Sequence, residues 1–86
     1  MGVHQVQLEE RILSFIRSDL MSSSDEQIGP EDSLIERGLL DSIALVQVIA
    51  FLEAEAGVTV PDQEVTPDNF DTAKRIAEFV ARLKGS

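Results

Sequence analysis

Apolar residues recur three and four positions apart near the start of the chain, at Leu8, Ile12, Phe15, Ile16 and Leu20, with Glu9, Glu10, Arg11 and Arg17 turned to other directions. That spacing predicts an amphipathic helix from about His4 to Leu20. The small polar run Ser22 to Gln27 and then Gly29-Pro30 break the pattern, opening a loop to about Leu40 that Ile28, Leu34, Ile35, Leu39 and Leu40 are expected to pin. A second apolar stretch predicts a helix from Ser42 to about Ala56, stopped by Gly57. At 100° per residue Leu45, Val48, Ile49, Leu52 and Ala56 share one stripe, with Val46 at its edge, which reads as the core face. Ile43, Gln47, Ala50 and Ala54 form an uncharged stripe on roughly the opposite side.

Val58-Thr59-Val60 reads as a short extended connector halted by Pro61, after which Asp62 is expected to cap a turn or two through Val65. Thr66 to Phe70 reads as another turn that delivers Phe70 to the core. Asp71 or Thr72 then caps a last helix to about Leu83, with Ala73, Ile76, Phe79, Val80 and Leu83 inward. The expected architecture is all-α: a small three-to-four-helix bundle with a long loop between helices one and two. One domain is expected over 1–86, its ordered core about 6–83.

Composition narrows what such a bundle does. With 86 residues, 43% of them hydrophobic, one core is affordable but a deep internal pocket is not, which favours a binder or a carrier over an enzyme. The chain has no cysteine, so neither disulfides nor thiolate metal ligands hold the fold. Sixteen acidic against seven basic residues give a net charge of −9, which disfavours nucleic acid and anionic membranes and favours proteins with basic docking patches. No apolar run approaches the ~20 residues a bilayer requires, so a cytoplasmic, soluble monomer is expected. Self-repulsion at this charge predicts a melting temperature that rises between low and moderate ionic strength, and a flat salt dependence would contradict it.

Asp41-Ser42 stands where a loop becomes a helix. The first N–H groups of a helix lack intrahelical partners and the macrodipole there is positive, so a phosphate attached to Ser42 would be well placed. The simpler reading is that Asp41 or Ser42 caps the helix. Autonomous catalysis at Ser42 is not expected, because the single histidine, His4, lies near a terminus and no oxyanion hole or second base is in view. Glu31, Asp32 and Glu36 lack the ligand spacing of a calcium loop, and no metal site is expected.

Asp32-Ser33-Leu34, Gly38-Leu39-Leu40-Asp41-Ser42-Ile43, the apolar helix to Glu53, Val60-Pro61-Asp62 and Pro67-Asp68-Asn69-Phe70 together resemble the acyl carrier protein family over about residues 6 to 83. The resemblance implies that Ser42 receives 4'-phosphopantetheine from coenzyme A through a phosphopantetheinyl transferase, that Asp41 assists this modification, and that the prosthetic thiol carries an acyl group as a thioester. It also implies acyl-loading and acyl-using partners (ligase, synthase or transferase), a partner surface on helix two, and a short third helix that opens or shuts a groove for acyl chains.

Carriers of primary fatty acid synthesis usually have acidic residues along the exposed stripe of helix two, where this chain has Gln47 and Ala54, with Ala44 just after the site. The candidate partner surface is therefore the neutral stripe Ile43, Gln47, Ala50 and Ala54. A specialised acyl carrier is the first reading, and a D-alanyl or aminoacyl carrier, which Leu40 to Ile43 with Val46-Gln47 also resemble, the second. An unmodified helical adaptor docking through helix two is the alternative of another class.

Overall fold

A computed structural model describes residues 2–21 and 27–85, residues 2–6 by their backbone alone. The elements are α1 (Gly2–Phe15), continued by a π-helical turn (Ile16–Leu20), α2 (Ser42–Ala56), a 3-10 turn (Asp62–Glu64), α3 (Pro67–Phe70) and α4 (Ala73–Gly85). This is the small helical bundle expected. The first helix changes its winding at Ile16 rather than running as one α-helix to Leu20, and its last turn ends where the Met21 N–H donates to the Ile16 carbonyl. The polar break expected over Ser22–Gln27 lies, up to Glu26, outside the described residues, as does the His4 side chain.

Ile12, Ile16, Leu34, Val48, Leu52, Phe70, Ile76, Phe79 and Val80 are the largest fully buried side chains, and they form one cluster drawn from α1, the long loop, α2, α3 and α4. Phe70 and Phe79 meet at its centre in a tilted pair with ring centroids 5.5 Å apart. Phe70 thus plugs the core as the pattern predicts, but it arrives on one turn of helix rather than a plain turn. Thr66 caps that turn by accepting from the Asn69 N–H, and Pro67 sits at the start, where a missing N–H costs nothing. Thr72, not Asp71, caps α4, accepting from the Arg75 N–H at 3.0 Å.

Two further expectations are corrected nearby. Asp62 does not cap the 3-10 turn; Pro61 occupies that position and no side chain closes it. Ile35 does not pin the long loop either, since it is 44% exposed while Ile28 and Leu34 are buried and Leu39 and Leu40 half-buried.

Candidate functional site at the start of α2

The loop that leads to α2 contains its own helical turn. Ser33 begins it, its Oγ accepting from the Glu36 N–H at 3.1 Å. Gly38 ends it with a left-handed φ of 72°, its N–H donating to the Ile35 carbonyl while the Leu39 N–H reaches back to Leu34. These paired bonds are the Schellman stop, which needs a residue at positive φ; glycine adopts it without the Cβ penalty. The reversal turns Leu39 and Leu40 toward the core and hands Asp41-Ser42 to the surface.

The turn is fastened to a distant part of the chain. The Ser33 hydroxyl donates to Asp71 Oδ1 at 2.6 Å, the Leu34 N–H to the Asp71 carbonyl at 2.6 Å, and the Lys74 N–H to the Pro30 carbonyl at 2.9 Å. Asp32 holds the opening of the loop, its Oδ2 accepting from the Gly29 N–H at 2.7 Å and facing Arg37 at 3.6 Å. Asp32 is therefore structural. Among the described residues, no group of three or more histidine, aspartate or glutamate side chains is placed to hold a metal ion.

At α2 the two roles left open for Asp41 and Ser42 separate. Asp41 is the cap: its Oδ1 accepts from the Ala44 N–H at 2.8 Å and its carbonyl from the Leu45 N–H at 2.8 Å. Ser42 is the first helical residue, exposed, and its hydroxyl has no hydrogen-bond partner among the described residues. The N–H groups of Ser42 and Ile43 belong to those an α-helix cannot satisfy internally. Asp41→Ala should cost about 1 kcal/mol of stability and Asp41→Asn much less, because asparagine keeps the accepting oxygen; paired urea titrations measure both.

Further along α2, Ile43 (73% exposed), Gln47, Ala50 and Ala54 all face outward as the sequence predicts. Val46 does not sit at the edge of the core. It is 66% exposed and adds to the apolar patch around Ser42. Ala44, just after the site, is buried at 6% exposure. Both placements have one cause. On a 100° wheel the buried residues Ala44, Val48 and Leu52 centre about 60° away from the stripe through Leu45, Val48, Ile49, Leu52 and Ala56. Phe51 helps fix that rotation by stacking on Phe15, ring centroids 4.5 Å apart.

α2 carries two charged residues, Glu53 and Glu55, and both are engaged. Glu53 Oε2 accepts from the Val60 N–H at 3.0 Å, and Glu55 pairs with Arg11 on α1. The first half of α2 thus presents an apolar and amide surface with no carboxylate beyond the cap.

The family model described as phosphopantetheine attachment site matches residues 10–83. The chain belongs to the phosphopantetheine-binding carrier protein family. It is 30% identical over 82 residues to aminoacyl carrier protein 2 of Bradyrhizobium diazoefficiens, covering 94% of this chain and 91% of that protein. It is 29% identical over 77 residues to the probable acyl carrier protein PigG of a Serratia species, covering 90% and 88%. Its fold matches, with a TM-score of 0.68 and 22% identity, a chain of the crystal structure of the Bradyrhizobium japonicum glycine:[carrier protein] ligase complexed with its cognate carrier protein, covering 91% and 96%.

This carrier's prosthetic group is covalently bound 4'-phosphopantetheine. The start of α2 has the donor chemistry for it: an unengaged hydroxyl to esterify, helix-terminal N–H groups and the positive end of a dipole for the phosphate, and a cap that leaves the hydroxyl alone. No helix among the described residues is long and apolar enough to cross a membrane.

Proposed function

We propose that Ser42 is the attachment residue, that Asp41 assists its modification, and that this carrier presents a tethered acyl or aminoacyl cargo to partner enzymes. The observation that carries the assignment is the exposed, unpartnered Ser42 hydroxyl at the first position of α2, with capping supplied by Asp41. When bound, 4'-phosphopantetheine supplies a terminal thiol that holds the cargo as a thioester. The chain's own residues do the rest. Asp41 fixes the first turn of α2 and so the direction of the Ser42 hydroxyl, and tethering raises the local concentration of cargo at each enzyme visited.

Incubation with coenzyme A and a broad-specificity phosphopantetheinyl transferase, followed by intact mass and peptide mapping, tests the proposal. The full prosthetic mass on the peptide holding Ser42 is the expected result. An unchanged mass would leave a helical adaptor instead. The partners are the transferase and enzymes that load or use the cargo (ligase, synthase or transferase).

Recognition by those partners runs through Ile43, Val46 and Gln47, extended by Ala50 and Ala54. An exposed isoleucine gains about 1.5–3 kcal/mol when a partner buries it fully, and that gain does not fade with salt as Coulomb attraction between exposed charges does. Ile43→Ala should therefore lower kcat/KM of the cognate loading enzyme by roughly tenfold or more at low and high salt alike. Glu53→Gln, which retains an acceptor for the Val60 N–H, should alter loading chiefly at low salt. A silent Ile43→Ala beside a severe Glu53→Gln would mean that charge governs docking.

A further inference from the structure

We infer that Asp71 is a positioning residue for the modification of Ser42: it fixes the rotation of the helical turn between Ser33 and Gly38, and with it the path of the chain that places Asp41 and Ser42 before the transferase. The inference rests on the attachment reading proposed above.

A single helical turn cannot fix its own facing. Helices shorter than ~12 residues are marginal in water, so the rotation of this one is set by what it touches. Leu34 and Ile35 stand side by side in it, and burying either gains a comparable transfer free energy, so hydrophobicity alone does not choose between them. Yet Leu34 is 0% exposed and Ile35 44%. Rotating the turn by one residue, about 100°, would exchange the two and swing the Gly38 stop from which Leu39, Leu40, Asp41 and Ser42 continue.

The contacts that settle the facing come from Asp71, 38 positions from Ser33 in the chain. Its carbonyl accepts from the Leu34 N–H at 2.6 Å, a donor that a rotated turn would carry away, and its Oδ1 accepts from the Ser33 hydroxyl at 2.6 Å. A carboxylate acceptor makes the second bond a strong one. The same Ser33 oxygen accepts from the Glu36 N–H at 3.1 Å, so the hydroxyl that Asp71 orients also caps the turn. On α4 the Lys74 N–H, one of those a helix start leaves unsatisfied, donates to the Pro30 carbonyl at 2.9 Å and closes the interlock. Within the turn the Leu39 N–H returns to the Leu34 carbonyl at 3.0 Å, which passes the anchored rotation on to the residues that lead into Ser42. A turn free to rotate would display Ser42 productively only part of the time, and the apparent affinity of the transferase would fall by that fraction. Saturating carrier draws the population back, so kcat would hold.

Transferase kinetics with coenzyme A and native-state amide exchange test this on the full chain. Asp71→Ala should raise KM for the carrier about threefold or more with kcat within about twofold of wild type. It should also accelerate exchange at Leu34 and Leu39 more than at Val80. Asp71→Asn, which keeps an acceptor for the Ser33 hydroxyl, should stay within about twofold of the wild-type KM. Thr66→Ala removes the α3 cap and no part of the clamp, so it controls for lost stability alone and should leave KM unchanged. Ser33→Ala probes the same bond from its other end and replaces Asp71→Ala should that variant not fold. Combining the two should raise KM by less than the product of the single effects. A wild-type KM in both Asp71→Ala and Ser33→Ala overturns the inference, as does a rise in KM that Thr66→Ala reproduces. A wild-type chain that gains no prosthetic mass, or gains it away from Ser42, overturns the attachment reading itself, and this inference with it.

Discussion

Ser42→Ala is expected to abolish addition of the prosthetic mass altogether while leaving stability within about 0.5 kcal/mol of wild type. The two halves of that result have separate causes. Loss of the hydroxyl removes the atom proposed for esterification, whereas the helix start survives because the Ala44 N–H is held by Asp41 rather than by Ser42. Alanine is also the better helix former at this position. No other described serine offers an equivalent hydroxyl: Ser14 lies within α1, Ser18 in the π-helical turn, and Ser33 Oγ is committed to Asp71 and the Glu36 N–H. Intact mass after transferase treatment, paired with a thermal melt, measures both halves. A variant that still gained the mass would move the attachment site elsewhere.

The reach of the sequence into this site was set by how strongly each local signal excluded alternatives. α2 was legible at both ends, from Ser42 to Ala56, because a capping aspartate and a glycine at φ 69° are punctuation that few other arrangements satisfy. Its facing was not. Apart from Ser42, Gln47, Glu53 and Glu55 the helix is apolar on every side, so periodicity alone could not choose between the stripe through Ile49 and the one through Ala44. The choice fell to tertiary partners such as Phe15, which takes Phe51 inward and leaves Val46 out. The engagement of Glu53 with Val60, seven residues on, likewise has no sequence signal, since an isolated glutamate near a helix end reads equally as a solvated charge. Phe70 was legible for the converse reason: an aromatic residue between two turn signals has nowhere to go but inward.

Phe70→Ala should destabilise the fold by about 3–5 kcal/mol, far more than loss of the Asp41 cap, since it removes a ring at 1% exposure that fills the centre of the cluster. A domain of this length commonly holds roughly 4–13 kcal/mol in all, so the variant should be close to unfolding at about 37 °C. The midpoint of urea denaturation should fall sharply with little change in slope, which separates a lost core contact from a changed unfolded state. Loading by the transferase should fall in step with the folded fraction. A midpoint within the error of wild type would show that the neighbouring side chains collapse into the space and that Phe70 is not the keystone of the core.

The clamp between Ser33-Leu34 and Asp71 bears on how this carrier can be recombined. Fragments spanning the loop and α2 hold every residue that displays Ser42, yet the hydroxyl of Ser33 and the amide of Leu34 find their partner on the far side of the 3-10 turn, just ahead of α4. The segment that presents Ser42 is therefore not portable as a contiguous cassette. A chimera that swaps residues 28–56 into another bundle inherits the serine but loses its anchor unless the recipient has an aspartate at the position of Asp71. Productive crossover points for domain shuffling accordingly lie outside residues 30–74, and a tag shortened to α2 and its preceding loop would carry Ser42 without the scaffold that presents it.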